Sequence, residues 1–238
     1  MRSTQSETKD WYKEYYRKKG SDRNDLLTNP EVLFQHLAFE QSVISALRKA
    51  KGLDRETSRI LDVGCGSGGS LVRFLQLGFS PEQLCGIDVL EDRISEGKRR
   101  YPNFGLVCDD ATAMPFDTAA FDLVMESTMF VQITDDVLGQ KIASEMLRVV
   151  KPGGYLMLID WRYGKPGNTS YQALSRKRIN RLFSVGSESD FVCSENGALV
   201  PPVGRVLSAY LPSVYFLVCA VFPFLAGATT TLLQKRAG

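Results

Sequence analysis

The chain has 238 residues, 44% of them hydrophobic and 24% charged, the proportions of a globular protein able to bury a sizeable core. Lys plus Arg total 29 against 27 Asp plus Glu, a formal net charge of +2, so there is no basic footprint for nucleic acid. The five cysteines (Cys65, Cys85, Cys108, Cys193, Cys219) are scattered and lack metal-ligand spacing, as expected of reduced thiols in a cytoplasmic protein without a bound metal.

The opening "MRSTQSETKDWYKEYY" has no apolar stretch of the secretory kind, so no signal peptide is expected. Residues 7–19 are helical in pattern, with Trp11/Tyr15 and Tyr12/Tyr16 paired four apart. That aromatic group reads as a buried helix face, or as a lid over a ligand. "KGSDRNDLLTNP" is loop-like, and Asn29 with Pro30 predicts the start of a helix ending near Gly52. The pattern then changes to short apolar runs ending in an acid, as in buried parallel strands. Strands are expected near 59–63, 84–88, 104–108, 121–126 and 155–160, separated by amphipathic helical segments, with "KPGG" at 151–154 as a helix-to-strand turn.

Strand and helix alternate five times, which predicts an α/β fold, a Rossmann-like doubly wound seven-stranded mostly parallel sheet with an N-terminal helical extension. The expected organisation is one domain over 1–238: a helical cap (1–55), a donor-binding core (56–165) and an acceptor-side C-terminal part (166–238). From Val206 to Gln234 there is no charge, but Pro212 and Pro223 cut the run below the length of a membrane span. A buried helix over 213–222, then a last strand around Thr230 to Gln234, is expected, and peripheral membrane contact stays open.

Gly64, Gly66 and Gly69 in "ILDVGCGSGG" satisfy G-x-G-x-x-G between a strand and a helix. Such a loop lets backbone approach a nucleotide-like ligand, so a dinucleotide fold is a live alternative. Asp88 lies 20 residues after Gly68, at the end of the next strand, where an acid bonds ribose hydroxyls.

"LDVGCGSGG", "GIDV", "CDDATAMPF", "FDLVMESTMFVQI" and "LRVVKPGGYLMLID" together resemble the successive motifs of class I S-adenosylmethionine-dependent methyltransferases, over about residues 55–165. The resemblance implies S-adenosyl-L-methionine as donor. The loop Gly64, Cys65 and Gly66 would hold its aminocarboxypropyl end, and Asp62 would organise the place of its ammonium group. An acid beside pyrophosphate would repel it, so Asp62 argues against a dinucleotide. By the same resemblance Asp88 holds the ribose with Val89 beside the adenine. Asp110 and Ala111 meet the adenine ring, and Glu126 and Ser127 face the methionine moiety.

A second pattern, "IDWRYGKPGNTSYQALSRKRINRLF" with the apolar C-terminal helix and "TTTLLQKR", is similar to methyltransferases of bacterial surface-polysaccharide assembly. It implies O-methylation of a sugar or glycan intermediate. Methylation of another small metabolite, or a non-catalytic donor-binding relative, are the alternatives. Fold-level likeness does not fix a substrate.

A sugar hydroxyl needs a base, and Asp160, at the carboxyl end of the fifth strand, is the first candidate. Its other reading is a salt bridge with Arg162 or a helix cap. His36, the only histidine, is the second candidate, against a surface or packing role. Gln132 stands where the family often has His, and it cannot take a proton. Arg162, and Arg23 in the glycine-containing loop before the helix, are expected to bind substrate. "SRKRINR" at 175–181 reads as a solvated helix face or a phosphate site.

Overall fold

The computed structural model describes residues 25–164 and 167–237. The expected helix over 7–19, its aromatic group and Arg23 lie outside these. The sheet has seven strands: β1 (Ile60–Val63), β2 (Leu84–Asp88), β3 (Gly105–Cys108), β4 (Phe121–Ser127), β5 (Val150–Trp161), β6 (Ser189–Asn196) and β7 (Ala228–Lys235). Their order is β3-β2-β1-β4-β5-β7-β6. The first five pair in parallel, and β7 runs antiparallel between β5 and β6. The chain thus winds outward both ways from β1, and the carboxyl ends of β1 to β5 share one edge.

The helices are α1 (Leu33–Leu47), α2 (Val72–Gln76), α3 (Glu91–Arg100), α4 (Asp136–Val149), α5 (Arg176–Leu182), α6 (Pro201–Tyr210) and α7 (Tyr215–Val221). Asn29 Oδ1 accepts the Glu31 N–H at 3.0 Å, as the Asn-Pro signal predicts, and a 3₁₀ turn leads into α1. Asp135 caps α4 in the same way.

β1 is buried at every position because helices cover both sheet faces. On one side Leu61, Val63, Val124, Leu156 and Leu158 pack with Ile142 and Met146 of α4 and Leu182 of α5. On the other, Ile60, Leu84, Met125 and Met157 pack with Val43 of α1, Phe74 of α2 and Ile94 of α3. A smaller cluster joins α1, α6 and α7 around the buried Tyr215, whose hydroxyl accepts the Leu199 N–H at 3.1 Å.

Three features differ from expectation. "KPGG" is not a turn before the strand: β5 already pairs with Phe121 at Val150, and the ladder shifts register before Leu123. Gly153, at φ +76°, supplies the left-handed backbone that this irregularity requires. The apolar helix over 213–222 forms as α7, but only its Tyr215 is buried. The prolines limit it to seven residues, and among the described residues nothing packs on its outer side. β6 carries polar residues between its buried ones, so no apolar run marks it in the sequence. The last strand, β7, extends over the expected Thr230 to Gln234.

Candidate active site

The glycine loop leaves β1 and is tied to the end of β2: the N–H groups of Gly64 and Cys65 both donate to Ile87 O, at 2.8 and 3.1 Å. Gly64 and Gly66 have φ of +75° and +55°, which favours glycine. A Cβ on Gly64 would lie 2.9 Å from Met129 Sδ, whereas one on Gly66 would meet nothing within 4 Å. The loop therefore presses on the segment after β4 at one point and leaves open space at the next. Asp88 spans the loop and the following helix, accepting from Gly66 N through Oδ2 at 2.8 Å and from Leu90 N through Oδ1 at 2.9 Å.

Three acids are buried beside this edge: Asp62, Glu126 and Asp160. Asp62 is 1% exposed, and both its carboxyl oxygens lack a hydrogen-bond partner. Burial pushes its pKa up to about 8, opposed by the charge of Arg73 and reinforced by that of Asp88. Arg73 Nη2 pairs with Glu40 at 2.8 Å, while its Nε and Nη1 are buried without a hydrogen-bond partner. A buried carboxyl with two bare oxygens under a glycine loop fits the cationic ammonium of an S-adenosylmethionine-type donor, which would satisfy both charge and hydrogen bonds.

Glu126 and Asp160 lie on the opposite face of the sheet from Asp62, as the registers of Asp62 with Met125 and of Glu126 with Leu158 require. Both have pKa values raised, chiefly by desolvation, and Asp160 raises that of Glu126 further. Their oxygens hold the segment 128–133. Glu126 Oε2 accepts from Met129 N at 2.9 Å, and Asp160 Oδ2 accepts from Val131 N at 2.9 Å. Asp160 Oδ1 accepts from its neighbour Trp161 N at 2.8 Å. The Arg162 salt bridge weighed for Asp160 does not form.

The same segment is held from its other side by Arg178 of α5, which is 4% exposed. Its Nη1 donates to Phe130 O at 2.9 Å and to Gln172 O at 3.1 Å, and its Nη2 donates to Ile133 O. The "SRKRINR" stretch is thus not uniformly a solvated face. The clue was spacing: Arg178, Ile179 and Leu182 are the buried positions of α5.

The structure brings Asp62, Gly64, Cys65, Gly66, Asp88, Val89, Asp110, Ala111, Glu126 and Ser127 to one sheet edge, at or just beyond the ends of β1 to β4. Asp110 Oδ1 accepts from Thr112 N at 2.9 Å, shaping the turn that carries Ala111. Arg162 follows β5: its Nη2 donates to Pro223 O, its guanidinium lies 5.0 Å from the Tyr163 ring, and its Nε is buried without a partner. His36 is exposed on α1, and its neighbour Phe39 packs edge-on against Trp161.

Residues 60–154 match the family described as a methyltransferase domain. The chain is 34% identical over 170 residues to the fatty-acid O-methyltransferase of Mycolicibacterium smegmatis, covering 66% of this chain and 58% of that one. It is 33% identical over 152 residues to the demethylmenaquinone methyltransferase of Beutenbergia cavernae, covering 64% and 58%. It thus spans less than two thirds of the length of these relatives. Among solved structures, the geranyl diphosphate C-methyltransferase of Streptomyces coelicolor, crystallised with S-adenosyl-L-homocysteine, superposes with a TM-score of 0.59. That match has 17% identity and covers 83% of this chain and 77% of that one.

Proposed function

We propose that residues 60–154, which match a methyltransferase domain, form the core of an S-adenosylmethionine-dependent methyltransferase, and that the chain methylates a small lipophilic acid at its carboxylate. The observation that carries the donor side is Asp62, buried with both oxygens bare beneath the glycine loop. The donor supplies a methyl group on a sulfonium, open to in-line displacement. The chain's part is to hold the two reactants in line, which can supply most of the acceleration.

Asp62 would receive the ammonium of the donor, and Asp88 its ribose beside the loop it already fastens. The acceptor approaches along the remaining edge, after β5. There Arg162 offers a buried Nε–H without a partner, suited to an anionic head group. Asp160, with both oxygens engaged by main-chain N–H groups, acts as a positioning residue for 128–133 rather than as the base. Gln132 donates through Nε2 to Thr128 O and takes no proton. An acceptor already ionised at neutral pH needs no base from the protein. A fatty carboxylate is such an acceptor, and the first of the relatives above is named for it. The sugar or glycan acceptor has no counterpart in the two curated relatives described above.

Calorimetry with S-adenosylhomocysteine and with NAD tests the donor, and transfer of labelled methyl to long-chain fatty acids, prenylated hydroquinones and sugars tests the acceptor. Methyl esters from fatty acids, with turnover flat between pH 6 and 8 once donor is saturating, are expected. Turnover confined to sugars would reverse the acceptor assignment.

A further inference from the structure

The exposed large apolar side chains are concentrated on one part of the surface. On α1 they are Leu33 and Leu37, on α6 Val206 and Tyr210, and on α7 Leu217 and Val221, each pair four residues apart and so on one helix face. Leu211, Phe222 and Phe224 continue the patch between and beyond the helices. Tyr210 is 77% exposed, Leu217 62% and Phe224 63%. The three helices pack inward on Tyr215, and Phe34 joins α1 to α7 through ring contacts with Tyr215 and Phe216 at 5.7 and 6.0 Å. What remains outside is therefore the outer side of one small layer.

This layer is fastened to the site mouth. Arg162 Nη2 donates to Pro223 O, and Tyr163 Oη donates to Phe224 O at 2.8 Å. Arg162 and Tyr163 follow directly from β5, whose end carries Asp160 and Trp161. The apolar tip Phe222–Leu225 therefore sits beside the edge left for the acceptor.

We propose that this α1–α6–α7 face docks on an anionic lipid bilayer, placing the site mouth at headgroup level, where it takes its acceptor from the membrane. The occupant follows from charge. From Val206 to Gln234 no residue is charged, whereas a protein-binding patch has a polar rim around its apolar centre. At its borders stand Arg162 beside Tyr163, and the exposed Tyr210, while the charge of Arg205 is met by Glu31 at 3.4 Å. Arg and Tyr at the edge of an apolar face match the boundary between acyl chains and anionic headgroups. No helix among the described residues is long and apolar enough to cross a membrane, so the contact is interfacial. The acceptor's source rests on the reading above, but the docking itself can be measured without turnover.

The test is flotation of the full chain with vesicles of phosphatidylcholine, with and without phosphatidylglycerol. The comparison is a Tyr210→Ser, Leu217→Ser, Val221→Ser variant whose fold is checked by circular dichroism and by S-adenosylhomocysteine binding. Wild type should bind, more tightly with phosphatidylglycerol, and the variant should lose at least about tenfold in partitioning. The variant should methylate detergent-dispersed acceptor normally but vesicle-embedded acceptor poorly. Equal partitioning of wild type and variant, or none by wild type, overturns docking. So does a stable dimer that the same substitutions dissociate, or vesicle binding seen only after removal of residues 1–24. Vesicle binding without methylation of any lipid acceptor would leave docking standing and remove the lipophilic acceptor.

Discussion

Arg178 and Asp160 hold the same short segment from opposite sides, Arg178 through the Phe130 and Ile133 carbonyls and Asp160 through the Val131 N–H. Met129 of that segment touches the glycine loop at Gly64, so α5, far along the chain, sets the position of the donor site. Arg178→Met removes a side-chain donor from three main-chain carbonyls, of which Phe130 O keeps the Ile133 N–H, and should cost about 3 kcal/mol in denaturant unfolding. Arg178→Lys should recover only part of this, because an ammonium cannot fork to three separated carbonyls. Both variants should also raise the dissociation constant for S-adenosylhomocysteine, which destabilisation at a site unconnected to the loop would leave unchanged.

Asp88 fixes the glycine loop, and we propose that it also holds the donor's ribose. Asp88→Ala should weaken S-adenosylhomocysteine binding by at least about tenfold, since it strands the Gly66 and Leu90 N–H groups and the ligand hydroxyls. Calorimetry measures this. Binding unchanged within a factor of two would remove Asp88 from the site.

The raised pKa of Asp62 makes donor binding depend on pH. Below about pH 8 the buried carboxyl holds a proton, and a bound ammonium favours its release. Affinity for S-adenosylhomocysteine should therefore rise between pH 6 and 8, by up to roughly tenfold per pH unit. Calorimetry in buffers of different ionisation heat should register the released proton, and Asp62→Asn should abolish both effects.

The same group governs stability without ligand. An unfolded Asp titrates near about 3.9, and the folded one near about 8, so the folded chain binds more protons throughout that window. Stability from Asp62 is then full below the lower value and falls as pH rises to the upper. Asp62→Asn should raise the melting temperature at pH 8 relative to wild type, and change it less at pH 4.

Arg162→Ala should raise KM for a carboxylate acceptor by about tenfold while leaving S-adenosylhomocysteine affinity unchanged, because it removes a charge-assisted donor at the acceptor edge alone. Initial rates at saturating donor report the first and calorimetry the second. An unaltered KM would place the acceptor head group elsewhere.

How much of this was legible depends on where the determining contacts lie. The carboxyl-end acids Asp62, Asp88 and Glu126 and the glycine loop are readable locally. Strands covered on both faces are continuous apolar runs, and the residue where each run stops is the residue at the sheet edge. Asn29 announces its helix for the same local reason, a side chain reaching a main-chain N–H two residues on. Tertiary structure decided the rest. Whether α7 is core or surface depends on what lies against its outer side, and Arg178 becomes a buried clamp only because α5 lies beside residues 130–133. For Asp160 the chain offers either a base or a salt bridge or helix cap, and only the folded segment 128–133 brings the Val131 N–H to its Oδ2. Local pattern carries the period of burial and the identity of edge residues. The partner of a buried polar group, and the cover of an apolar face, are contributed by chain distant in sequence.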